Sequence, residues 1–248
     1  MVTTTLLWLL YVVKSKRLAL PLAVLIVTPV ALFELVFLLA NGIKILDGGY
    51  VPVVIALMLG LVMWAWWRGT QSVLQNTQKR RIGVKGFIAK MEHSSAHVIP
   101  GTALYLSPDP DAVPSALLHN LKHNRVRHAQ IVLLTVETLR VPQATADERA
   151  SFERLSPGFA RLTLRFGFME TPNVSRAMGA ARRAGLKFDV MATTFFLSRN
   201  RVFATEPFGF GRIMDRIFVF LSRLAADPTE YYHLPRNRVV ELGERTAL

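Results

Sequence analysis

The chain has no cysteine in 248 residues, which excludes disulfides and thiolate metal sites and permits a reducing compartment. Acidic side chains are scarce, 17 against 30 Lys and Arg, for a formal net charge of +13. Residues 1–67 hold only four basic and two acidic side chains, so nearly all of that excess lies in the remainder. A basic soluble part suits either nucleic acid or an anionic lipid surface. Nucleic acid would need exposed aromatics interleaved with arginine, and the aromatics here fall within apolar runs, so no nucleic-acid partner is expected.

Motifs for chemistry are also missing. "GFGR" (Gly209 to Arg212) lacks the later glycine and the Gly-Lys-Ser/Thr ending of a phosphate loop, and no serine has a nucleophile-elbow context. His119 and His123 stand four apart, but Asn120 follows the first where a zinc protease needs glutamate, and Lys122, Arg125 and Arg127 make the surroundings electropositive. No enzyme activity, cofactor or metal is expected.

What is present is two long uncharged runs. Val51 to Trp67 is seventeen residues without a charge, between Tyr50 and the Trp66–Trp67 pair. As a helix it spans about 25 Å, short of the roughly 30 Å hydrocarbon layer, but with aromatics at both interfaces and no polar face. Leu18 to Ala40 is 23 residues with one charge, Glu34. Thr3 to Val13 is apolar but only eleven residues long, too short to cross, and has no signal-peptide features. The expectation is about two and a half transmembrane helices: a partial one over 1–13 and spans over 18–40 and 50–67. Lys14, Lys16 and Arg17 in the first loop, against Lys44 offset by Asp47 in the second, with Arg68, Lys79, Arg80 and Arg81 after the last span, put the first loop and everything beyond residue 70 in the cytoplasm. Glu34 is costly at membrane depth and is a candidate for an ion path or for helix pairing.

Residues 71–97 read as a basic connector containing one short helix, "VKGFIAKME", and residues 98–248 as a soluble domain. "GTALYLS" and "AQIVLLTVETL" are apolar, strand-like runs, the second suited to a strand covered on both faces. Between them, Val113, Leu117, Leu118 and Leu121 share a helical face. "FARLTLRFGFME" alternates and suggests a half-exposed or edge strand. Asn173 is an N-cap candidate for a helix closed by Gly185. "VMATTFFLS" and "NRVFAT" suggest a hairpin around Ser198–Asn200. Such alternation predicts an α/β domain with a mixed sheet. In "GRIMDRIFVFLSRLA", Arg212, Arg216 and Arg223 share one sector of a helix, opposite Ile213, Ile217, Phe220, Leu221 and Leu224, with Met214 and Phe218 at the margin. Packing of that apolar face on the sheet is the expectation, and contact with lipid the alternative.

Together, "LLANGIKILDGGYVP", "IPGTALYLSPDPDAVPSALLHNLKHNRVRH", "IVLLTV", "GFMETPNV", "TTFFLSRN" and "LPRNRVVELG" resemble the C-terminal part of the Kup/HAK/KT potassium-uptake permeases. The resemblance covers essentially the whole chain. It implies the last membrane helices and cytoplasmic domain of a multi-pass transporter of the cytoplasmic membrane, in which potassium uptake is coupled to protons. It also implies an acidic residue at Glu34, with Asn41, Gly48 and Gly49 nearby, and a soluble domain that regulates or assembles the transporter, as a homodimer among other arrangements. The family's cation site belongs to earlier, broken helices, so no ion ligand is carried over, and Met1 reads either as an internal methionine or as the start of a fragment. The rival reading is a membrane-tethered nucleotide-sensing or enzymatic α/β domain, since the carboxyl edge of a sheet can bind a ligand without a motif.

Overall fold

A computed structural model of the chain describes residues 1–15, 18–43, 48–79, 81–92, 94, 96–203, 209–225 and 227–247. Lys16, Arg17, Lys44, Asp47 and Arg80, which carry part of the loop-charge argument, lie outside those residues, as do Ala204 and Thr205 of the expected hairpin. The chain divides into two compact units, Met1–Trp64 and Ala65–Leu248.

The first unit holds helices α1 (Val2–Lys14) and α2 (Leu20–Ile43) and the start of α3 (Tyr50–Lys79). Helices α2 and α3 are long and apolar enough to cross a bilayer. Pro29 lies inside α2 without ending it, as membrane helices tolerate. Large apolar side chains such as Leu25 and Phe33 point outward, the arrangement lipid requires and water penalises. The apolar run of α3 stops at Trp67, yet its helix continues through polar residues to Lys79.

The second unit is built on a six-stranded mixed sheet. In chain order its elements are α4 (Val84–Glu92), β1 (His97–Leu106), α5 (Ser115–His119) with a π-helical turn over 120–124, β2 (Val126–Leu139), β3 (Ala150–Ser156), β4 (Phe159–Gly167), α6 (Val174–Arg183), β5 (Thr193–Phe203), α7 (Phe210–Leu224), α8 (Pro228–Tyr231) and β6 (Val239–Ala247). The strand order is β3-β4-β2-β1-β5-β6. All neighbours are parallel except β3 and β4.

Side chains alternate across a strand, so a sheet with helices on both faces needs apolar residues at nearly every interior position. Leu104, Val132 and Leu134 point to one face, where Val174, Ala177, Met178 and Ala181 of α6 meet them. Ala103, Tyr105, Ile131 and Leu133 point to the other, under Val84, Ile88 and Met91 of α4 and Ala116 and Leu117 of α5. The Asn173 side chain accepts the Arg176 N–H at 2.9 Å, and Gly185 follows α6 at φ +110°, so both expected caps are present.

Three expectations are corrected. "FARLTLRFG" is not an edge: β4 lies between β2 and β3 and is buried along most of its length. Its alternation comes from Arg161 and Arg165, which pair across the strands with Glu153 and Glu137. The hairpin at Ser198–Asn200 is absent. Residues Thr193–Phe203 form one strand, because β6, hidden in the polar "VVELGERTA", pairs in parallel with β5 straight through that point, Ser198 opposite Leu242 and Asn200 opposite Glu244.

The third correction concerns α7. It buries Met214 and Phe218 and leaves Ile213, Phe220 and Leu224 exposed. The Phe218 ring occupies a notch on α3 made by Gly69, where an added Cβ would lie 2.2 Å from it, and meets Trp66 with ring centroids 5.4 Å apart. The face toward α3, instead of the wider apolar stripe, is the one that packs.

Because α4 supplies part of the core, a soluble piece cut at residue 98 exposes one face of the sheet. Residues 81–248 are expected to give a folded product by circular dichroism and gel filtration. Residues 98–248 are expected to aggregate or to melt well below it, since losing each large buried apolar side chain costs about 2–5 kcal/mol.

Candidate functional site

Parallel strands that diverge to either side of a starting strand leave a crevice at their carboxyl ends. Here β1 has β2 on one side and β5 on the other, and the crevice is a cleft of about 580 Å³. Leu106 of β1, Leu134 and Val136 of β2 and Leu197 of β5 line its apolar part. His119 and Lys122 stand on its wall, and Asn76 and Thr77 from the end of α3 reach it.

The "SPDPD" loop along one side is held rigid. Ser107 donates to the Asp109 carbonyl at 2.7 Å, and Asp109 Oδ1 accepts the Asp111 N–H at 3.0 Å. Arg81 pairs with Asp109 and Arg161 with Asp111, each at 2.9 Å. Both carboxylates are therefore already engaged, while Lys122 makes no ion pair among the described residues. The start of α5 is closed from within the protein: Ser198 Oγ accepts the Ala116 N–H at 3.0 Å and the Ser115 hydroxyl at 2.9 Å. Such a cleft can receive an apolar body with an acceptor group. Among the described residues that line it, no serine is hydrogen-bonded to a histidine.

The histidines of "HNLKHN" stack on each other, His119 and His123 with centroids 5.8 Å apart. Among the described residues no group of three His, Cys, Asp or Glu side chains is placed to hold a metal ion. The asparagines of that motif have structural partners. Asn120 donates to the Tyr105 hydroxyl at 3.1 Å and to the Val126 carbonyl at 3.2 Å, and accepts from Asn124 at 2.8 Å. Burial pushes the Tyr105 phenol up to about 12, partly offset by the Asn120 bond, so the ring stays neutral.

Glu34 lies on the face of α2 toward α1, 8 % exposed, in an otherwise mainly apolar groove. Its Oε1 accepts from the Thr5 hydroxyl at 2.9 Å, and its Oε2 is buried without a partner among the described residues. Thr5 had no signal in the sequence beyond being polar in an apolar run. Nor did Glu170 of "GFMETPNV", which accepts the backbone N–H groups of Gly167 at 2.6 Å and Ala144 at 3.1 Å as well as the Arg149 guanidinium at 3.0 Å. It ties the loop after β2 to the end of β4.

The K+ potassium transporter integral membrane domain matches residues 1–71, and the K+ potassium transporter C-terminal domain matches residues 100–248. The chain belongs to the K+ potassium transporter family. "Probable potassium transport system protein Kup" of Rhizobium rhizogenes is 44% identical over 252 residues, covering 100% of this chain and 40% of the relative. "Probable potassium transport system protein Kup 1" of Agrobacterium fabrum is 43% identical over 251 residues, covering 100% and 39%. That of Sinorhizobium medicae is 45% identical over 226 residues, covering 90% and 36%. The chain thus spans about 40% of the length of the curated relatives it matches. No solved structure matches it. As a member of the Kup family it is a membrane protein with transmembrane helices, and the residues match transporters, which are not enzymes.

In this family member the Glu170 latch should be visible as pH-dependent stability. The Arg149 hydrogen bonds hold its carboxyl down at about 2, with help from the two backbone N–H groups, against an ordinary value of 4.5. Depression means that the stabilisation is present above the unfolded value and is lost as pH falls from about 4.5 toward 2. Glu170→Gln in residues 81–248 is expected to lower stability in urea at pH 7 by about 1–3 kcal/mol and to flatten the acid limb of the stability profile.

Proposed function

We propose that this chain is the C-terminal portion of a potassium uptake permease of the cytoplasmic membrane, working by proton–potassium symport, with its soluble unit in the cytoplasm. The supporting observation is that the two family domains tile the chain in order, membrane part first. Transport sites in such folds lie at the midplane between repeats and need discontinuous helices. Two spans and a partial helix do not enclose one, so the ion ligands come from helices upstream of these residues in the full transporter.

Within that reading, Glu34 lies beside the ion path and also pairs α2 with α1 through Thr5. An ionisable side chain at membrane depth is expensive to keep, which favours a role for it. The soluble unit regulates or assembles the transporter, as a homodimer or otherwise. A nucleotide-sensing or enzymatic role is the second reading, favoured by the cleft at the switch point, with Lys122 on its wall.

Residues 1–248 alone are expected not to restore growth of a potassium-uptake-deficient cell at limiting potassium. The same residues joined to the upstream helices of the Rhizobium rhizogenes relative are expected to restore it; uptake by the short chain alone would overturn the proposal. In that fusion Glu34→Gln removes the charge but can still accept from Thr5. Membrane levels are expected to hold while uptake falls about tenfold, equivalent to roughly 1.4 kcal/mol, and loses part of its pH dependence. Unchanged uptake with an unchanged pH profile would leave Glu34 the pairing role only.

A further inference from the structure

We propose that α7 is an interfacial helix whose exposed apolar stripe inserts among the anionic headgroups of the bilayer that α3 crosses. The stripe is Ile213, Phe220 and Leu224, which are 55%, 62% and 69% exposed. At roughly 100° per residue these three fall within about 40° of one another, with Ile217 at the margin. Soluble surfaces scatter their large apolar residues, and a contiguous ridge marks a surface that meets something.

Two observations identify lipid as the occupant. The first is position. Phe218, on the packed face of α7, lies in the Gly69 notch and against Trp66, at the point where the apolar run of α3 gives way to polar residues. Tryptophan at the end of such a run marks the headgroup level, so a helix held against Trp66 is held at that level too. The second is charge. Arg216 and Arg223 are exposed and lie about 40–60° from Phe220 on the same helical count, so they flank this narrower stripe on one side instead of standing opposite it as the sequence alone predicts. Arginines beside an apolar ridge cover it with their stems while the guanidinium reaches lipid phosphate. The cytoplasmic placement proposed above matters only for which leaflet is met, and vesicles of uniform composition remove that dependence.

The absence of cysteine allows a direct test on the full chain. Phe220→Cys, and Lys187→Cys as an exposed control, are labelled with an environment-sensitive dye and reconstituted in phosphatidylcholine vesicles with or without phosphatidylglycerol. Position 220 is expected to be blue-shifted and quenched by spin-labelled lipid, and position 187 to be neither. Adding Arg216→Glu and Arg223→Glu is expected to reduce the quenching at least twofold in anionic vesicles, and added salt to do the same without any further substitution. Emission at 220 as water-like as at 187 would overturn the proposal. So would a blue shift without lipid quenching, which would assign the stripe to a protein partner or a second copy. Quenching indifferent to lipid charge, salt and the double swap would overturn the choice of anionic headgroups.

Discussion

A sheet whose central strands are apolar toward both faces has to be roofed twice, and the architecture of the soluble unit follows from that requirement. Residues Ala103, Leu104 and Tyr105 of β1 are each fully buried, although successive ones point in opposite directions. One face is closed by α6, the other by α4 and α5. The one polar atom carried into this core by a large side chain of β1, the Tyr105 hydroxyl, is met by Asn120. Leaving it unmet would cost about 1–3 kcal/mol. The π-helical turn that places Asn120 ends at Arg125 in the left-handed region, φ +55°, and releases the chain directly into β2.

The same roofing ties the sheet to α3. Arg81, just beyond the end of that helix, pairs with Asp109 at the carboxyl edge of β1, and Phe218 of α7 seats against Gly69. Glycine is needed there because any side chain would collide with the ring. These contacts turn α7 so that its widest apolar stripe is left outside, a choice that makes physical sense beside lipid and little beside water.

The polar groups follow a consistent division. Five carboxylates in or just beyond β1 to β4, Asp109, Asp111, Glu137, Glu153 and Glu170, are paired with arginine. With acids consumed in holding loops and strands, the basic excess is what remains to face the surroundings. A positive soluble unit attached to a bilayer carrying negative lipid is electrostatically favoured. Helices α1 to α3 hold a single carboxylate, Glu34, with one hydroxyl partner and one oxygen without any among the described residues.

The sequence by itself determined the two long apolar helices, the mixed α/β class, the doubly covered β2 and the caps of α6, because each is written in a local run, period or cap residue. The family was legible for the same reason, in contiguous motifs. Tertiary structure alone decided which strands lie at the edges, since β3 and β6 are too polar to announce themselves and become strands only beside β4 and β5. It also decided that Thr5 meets Glu34, that Lys122 stands over the strand ends, and that Glu170 serves as a latch. The working face of α7 was least legible. Periodicity ranks a helix's faces by hydrophobicity, but packing selects the face that fits, and the fit between Phe218 and Gly69 joins residues far apart in the chain.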